Sequence, residues 1–292
     1  MPSLPASSPA SPTSSRRVLD VEHDDGVATL WLDRPDARNA LGRAFFEELP
    51  VVMAELSEKP AVRAVVVAAR GRDFSVGLDL KEMGPVLADG PGGEAHTAVT
   101  ASHAARAAAT RRTLVEMQAA VSAVAGCPKP VIAAVHGYCI GGGMDLVTAC
   151  DIRLASADAV FSVRETRMAM VADLGTLQRL PLVVGRGHVA ELALTGRDVH
   201  AERAKEIGLV NDVFSDRDTL LDSARSMAHE IAALSPLAVQ GTKAVLAAND
   251  GRTVVQGLEY VATWNAGMLA SEDLAEAVRA FMEKRPPRFT GS

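Results

Sequence analysis

The stretch His136-Gly-Tyr-Cys-Ile-Gly-Gly-Gly-Met-Asp145 decides how the chain is read. Just before it, Val131-Ile-Ala-Ala-Val135 is an unbroken apolar run, short enough for a strand covered on both faces. Just after it, Met144 to Cys150 reads as a helix. A strand that passes through three glycines into a helix leaves the first helical amides unpaired, at the positive end of the helix dipole. Gly142 N–H is therefore a candidate oxyanion donor, and Asp145, one turn on, is a candidate acid on the same face. The same residues also suit a plain tight turn in which Asp145 offsets the dipole for about 0.3–1 kcal/mol. Local sequence leaves both readings open.

Outward from this stretch the strand-then-helix plan repeats. Val27 to Leu32 reads as a strand closed by the turn Asp33-Arg-Pro-Asp36. Gly42 to Leu56 follows as an amphipathic helix, which Pro50 is expected to kink or shorten. Ala64 to Ala69, Ile152 to Ala155 and Val160 to Val163 are further strand runs, and alternation of this kind predicts an α/β architecture. Gly84 to Glu94 reads as a Gly/Pro loop and His96 to Ala125 as an Ala-rich helix. Beyond His200 a strand signal remains only at Leu209 to Val213. The rest is helical: Ala201 to Ile207, Arg217 to Leu234, Pro236 to Ala248, Thr253 to Leu269 and Glu272 to Glu283. The expected organisation is a tail at residues 1–17, a catalytic core at 18–199 and a helical assembly region at 200–292.

Composition limits the partners. Of 292 residues 48% are hydrophobic and 23% charged, and the formal net charge of −6 has the wrong sign for coating nucleic acid or an anionic membrane. The apolar stretch Pro130 to Cys150 is broken by His136, the glycines and Asp145, so no membrane span is read there. Cys127, Cys139 and Cys150 form no C-x-x-C pair and are expected to be reduced, buried hydrophobes. No H-E-x-x-H or H-x-x-x-H spacing occurs, and no metal site is expected. Residues 1–17 are rich in Pro, Ser and Ala, which predicts disorder; their prolines interrupt any amphipathic targeting helix, and a cytoplasmic location is expected.

Three further features bear on chemistry. In Phe74-Ser-Val-Gly-Leu-Asp-Leu-Lys-Glu-Met83 a glycine after a strand directs the Leu78 amide, although a surface turn would use the same residues. Glu165 follows the Val160 to Val163 strand and Asp173 lies eight residues on; singly, they read as a solvated ion-pair partner and a helix cap. Gly185-Arg-Gly-His-Val-Ala190 fits a G-x-G-x-x-A dinucleotide pattern but lacks the βαβ frame that gives it meaning.

Taken together the motifs resemble the crotonase (enoyl-CoA hydratase/isomerase) superfamily from about Val18 onward. The residues that carry this are Arg34-Pro35 with Asn39-Ala-Leu41, Phe74 to Leu80, Pro130-Val-Ile132, His136-Gly137 with Gly141-Gly-Gly143, Ala149-Cys-Asp-Ile-Arg153, Gln178-Arg-Leu-Pro181 and Gly208-Leu-Val-Asn211. The resemblance implies a spiral of ββα turns followed by helices that build a homotrimer or homohexamer. It also implies an acyl-CoA thioester substrate, with Leu78 and Gly142 N–H as the oxyanion hole and no metal or redox cofactor. Hydratases of the family carry glutamates where this chain has Asp145 and Glu165. Here the first acid is shorter and Asp173 is added within Ala172-Asp-Leu-Gly-Thr176, which resembles the Δ3,5-Δ2,4-dienoyl-CoA isomerase branch. That branch implies proton transfer in fatty acid degradation, with Glu165 serving the alpha carbon, Asp173 the distal carbon and Asp145 a supporting role. By position in the family, Arg38, Ser75, Asp79, Lys81 and Lys284 are expected to contact substrate or CoA. An enoyl-CoA hydratase and a non-catalytic acyl-CoA binder are the alternatives.

Overall fold

The computed structural model describes residues 18–89 and 102–292, so the expected tail and the later part of the Gly84 to Glu94 segment lie outside the described residues. Strands β1 (Leu19–Asp24) and β2 (Val27–Leu32) form an antiparallel hairpin, with Leu19 opposite Leu32 and Asp24 opposite Val27. Helix α1 (Arg43–Glu58) returns the chain to β3 (Ala64–Ala69), which lies parallel to β2. Pro50 sits inside α1 without shortening it, because Phe45, Leu49, Val52, Met53 and Leu56 bury one continuous face.

Helices α2 (Leu80–Asp89) and α3 (His103–Ala125) follow, then β4 (Val131–Val135) beside β3. The Gly/Pro loop expected from Gly84 is thus helical as far as Asp89. The Asp79 carboxylate accepts from Lys81 N and Glu82 N and launches α2 as a cap. At Gly137 the chain leaves the main sheet and enters a second one through β5 (Tyr138–Ile140).

Helix α4 (Gly142–Thr148) begins two residues earlier than its sequence pattern suggests. Strands β6 (Ile152–Ser156) and β7 (Val160–Ser162), short helices α5 (Thr176–Arg179) and α6 (Arg186–Thr195), β8 (Val199–His200), α7 (Ala201–Glu206) and β9 (Asp212–Phe214) complete the α/β part. The large sheet runs β1-β2-β3-β4-β6-β9, parallel except at its first hairpin, and the small sheet runs β5-β7-β8. The glycine pattern at 185–190 starts α6 with no strand before it.

Alternate residues of the central strands face opposite sides, and both sides are covered. Val65, Val67, Ala133 and Val135 join the large core beneath α1 and α3. Val66, Ala68, Ile132 and Leu154 meet Leu220, Ala224 and Ala228 of α8 (Arg217–Ala232). Burial on both faces is why these strands read as unbroken apolar runs. Helices α9 (Pro236–Ala248), α10 (Val254–Met268) and α11 (Glu272–Glu283) end the chain. The three cysteines are free and buried.

Candidate active site

Two backbone amides converge where the sheets meet. Leu41 N donates to Gly77 O (2.8 Å) and Asp79 N donates to Leu41 O (2.9 Å), forming a parallel bridge that flanks Leu78 and turns its N–H away from Leu41. Gly142 is the first residue of α4, so its N–H lacks an intrahelical acceptor. Among the described residues neither amide donates to a backbone carbonyl. Their closeness depends on Gly77, at φ +87°: a Cβ there would lie 2.8 Å from Ile140 O and 3.4 Å from Gly142 N. Both amides open onto a cleft of about 360 Å³ walled by Val76, Leu80, Ile140, Met168 and Met170.

Glu165 lines the same cleft. It starts a short 3-10 turn (Glu165–Met168) just beyond β7, and its Oε2 is buried with no hydrogen-bond partner among the described residues. Burial, reinforced by the charges of Asp145 and Asp173, pushes its carboxyl up to about 7. Asp145 is 1% exposed on α4 and does not line the cleft. Its Oδ1 accepts from both Thr176 N and Thr176 Oγ1 at 2.7 Å, which ties α4 to the start of α5. Burial raises Asp145 to about 6 against the pull of those two bonds.

Asp173 stands on the loop that precedes α5 and is not a wall of the cleft either. It is exposed in the single chain, yet the surrounding protein still raises its carboxyl above the ordinary value. Its backbone oxygen accepts from Gln118 Nε2 of α3 at 2.7 Å. The structure therefore brings Glu165 together with both amides, and sets Asp145 and Asp173 close enough to act on Glu165 through their charge.

Of the five residues expected to contact substrate or CoA, Arg38 alone lines the cleft. Its Nε is held by the buried Asp73 carboxylate at 2.6 Å, its guanidinium lies 5.2 Å from the Tyr138 ring centre, and Asp73 also accepts from Tyr138 N. Ser75 is fully buried, donates to Asn39 O and accepts from Gly77 N, so it shapes the Leu78 loop. Asp79 pairs with Arg34 and caps α2, with Lys81 in that first turn. Lys284 follows α11 in left-handed backbone and does not line the cleft.

Sequence reasoning missed Arg164, a cleft residue bonded to Asp198 and Ser162, and Thr176, which fixes Asp145. Gly175 before a threonine at a helix start was the available signal for Thr176. Arg164 owes its place to a partner 34 residues away, which no local pattern reveals.

The sequence matches the Enoyl-CoA hydratase/isomerase family model over residues 22–292. The chain belongs to the enoyl-CoA hydratase/isomerase family. Among its family relatives, the Delta(3,5)-Delta(2,4)-dienoyl-CoA isomerase, peroxisomal, of Arabidopsis thaliana is 46% identical over 272 residues, covering 93% of this chain and 95% of the relative. The mitochondrial protein of that name from Mus musculus is 44% identical over 261 residues, covering 89% and 77%. Among solved family structures, a putative enoyl-CoA hydratase from Streptomyces coelicolor A3(2) superposes with a TM-score of 0.84 at 36% identity, covering 99% of this chain and 100% of that one. Enoyl-CoA hydratase from Bacillus anthracis gives 0.83 at 30%, covering 94% and 100%. The expectation of a cytoplasmic location is overturned by the relatives, which are named peroxisomal and mitochondrial; it rested only on the prolines of residues 1–17.

Proposed function

We propose that this family member isomerises 3,5-dienoyl-CoA to 2,4-dienoyl-CoA, using its own side chains and no cofactor. The observation that carries this reading is the third carboxylate: Asp173 stands on the loop that Asp145 ties to α4 through Thr176, which supplies a second acid for a proton transfer between two carbons. A hydratase would hold its water between Asp145 and Glu165. Here Asp145 Oδ1 already accepts two bonds from Thr176. The likeness to dienoyl-CoA isomerases supports the same choice.

In this mechanism the thioester oxygen accepts from Leu78 N–H and Gly142 N–H. Glu165 takes a proton from the alpha carbon, and the electron pair of that C–H bond spreads along the diene onto the thioester oxygen. The charge then returns through the conjugated chain, the sixth carbon takes a proton from Asp173, and the double bonds rest at the 2 and 4 positions. A base whose carboxyl sits at about 7 matches the proton-transfer task near neutral pH. Such donors, fixed before charge develops, are each worth about 10²–10³ in rate. Asp145 holds the Thr176 end of the Asp173 loop, and Arg38 is placed to meet the CoA portion.

We propose further that residues 200–292 assemble the chain into a homotrimer or hexamer, and that it serves fatty acid degradation. Exposed Val254 and Val255 on α10 and Phe281 on α11 support the assembly reading. The activity test is spectroscopic: purified protein given a 3,5-dienoyl-CoA is expected to generate the absorbance of the conjugated 2,4-dienoyl thioester. Rapid hydration of a 2-enoyl-CoA with no action on the 3,5-diene would overturn the reading.

A further inference from the structure

The motif Gln178-Arg-Leu-Pro181 contributes to the family resemblance but has no part in the mechanism above. Its arginine is unusually placed. Arg179 reaches back from α5 under its own amino end, where Nη1 donates to Leu174 O at 3.3 Å and Nη2 donates to Ser122 Oγ on α3 at 2.8 Å. Gly175, at φ +127°, makes this path possible, because a Cβ there would run into the guanidinium. The loop Asp173-Leu-Gly-Thr176 is thereby gripped at three successive points: Gln118 holds Asp173 O, Arg179 holds Leu174 O, and Asp145 holds the Thr176 amide and hydroxyl.

We propose that Arg179 is a positioning residue for distal proton delivery: its planar fork fastens the Asp173 loop to α3 and so fixes where the Asp173 carboxyl meets the acyl chain. Two observations favour this over an ordinary surface contact. The guanidinium is partly withdrawn from solvent, and burial lowers its pKa, a cost that a free surface arginine would not bear. The other two grips reach the loop only at its ends, so without Arg179 the Leu174 carbonyl between them has no holder. A fork with two donors at a fixed angle joins two acceptors on different elements, which a lysine ammonium on a flexible stem does not reproduce.

The inference rests on the isomerase reading, and its test separates the two. Arg179→Gln is expected to lower kcat for 3,5-dienoyl-CoA by about 10²-fold, the scale of a small misplacement of a reacting group, while KM changes less than about threefold. Arg179→Lys is expected to recover only part of that loss, and Ser122→Ala, which removes the α3 end alone, is expected to fall between wild type and Arg179→Gln. In an Asp173→Asn background Arg179→Gln should cost nothing further, because the two act as one unit. Hydrogen exchange of the 172–178 segment in Arg179→Gln provides a readout that needs no turnover: the segment should exchange faster than in wild type. Unchanged exchange, full recovery by lysine, or additive losses in the double variant would each overturn the role of Arg179. Should wild type fail to act on the diene, the isomerase reading falls, and the exchange result still decides whether the clamp exists.

Discussion

Glu165 is the residue on which the charges of the site converge. Its carboxyl stands at about 7 against an ordinary 4.5, so folding favours its protonated form. The stability it contributes is therefore complete below about pH 4.5 and is lost as pH rises through about 7. Glu165→Gln is expected to abolish most activity, by about 10²–10⁴-fold, and yet to unfold at higher urea than wild type at pH 8.5. The gain should approach but not exceed about 3 kcal/mol, and should vanish at pH 4. A variant equally destabilised at both pH values would refute the burial argument. Because Glu165 must be ionised while Asp173 keeps its proton, kcat/KM is expected to be bell-shaped in pH, with one limb near 7, and both apparent values belong to the coupled carboxylates as a set. At this scale the sequence was informative where chemistry is carried by short motifs. Leu78 and Gly142 were marked by the glycines before them and Asp145 by its place one turn into the helix, whereas Glu165 and Asp173 read singly as a solvated partner and a cap and were drawn together only by the family resemblance. It was silent on Thr176 as the partner of Asp145, since that bond joins positions 31 residues apart.

Among the elements, the bridge at Leu41, Leu78 and Gly77 does most to bring together the two amides of the proposed oxyanion hole. Gly77→Ala would press a methyl against Ile140 O and toward Gly142 N, and would strain a backbone at φ +87°. It is expected to lower kcat by about 10² or more, with the fold retained as judged by circular dichroism. A variant with wild-type kcat would show that the two amides do not act as a pair. The buried strands at β2, β3 and β4 were legible because they are buried on both faces and so read as unbroken apolar runs. Strand β1 was not seen, since only Leu19 of its six residues is buried. Nor was β5, whose three residues belong to a sheet assembled from distant segments. Helix α8 was recognised as a helix, but its cover of the large sheet follows from topology and not from its own pattern.

For the whole molecule, sheets, cleft and carboxylate cluster belong to one α/β body, while α10 and α11 show large apolar side chains with no cover in the single chain. Phe281 is 82% exposed and Val254 79%. Sedimentation is expected to return three or six times the 30.6 kDa of the chain, and Phe281→Asp is expected to reduce it toward a single chain. A monodisperse wild-type monomer would contradict the proposed assembly. In the proposed mechanism two carboxylates serve opposite ends of the acyl chain, and the placement of an isotope distinguishes their roles. Asp173→Asn incubated with a 3,5-dienoyl-CoA in deuterated water should still exchange the alpha-carbon proton, because Glu165 and both amides remain. Deuterium at the sixth carbon, and with it the 2,4-dienoyl product, should fall by about 10² or more. Delivery to the sixth carbon at the wild-type rate would contradict the account, as would loss of alpha-carbon exchange alone.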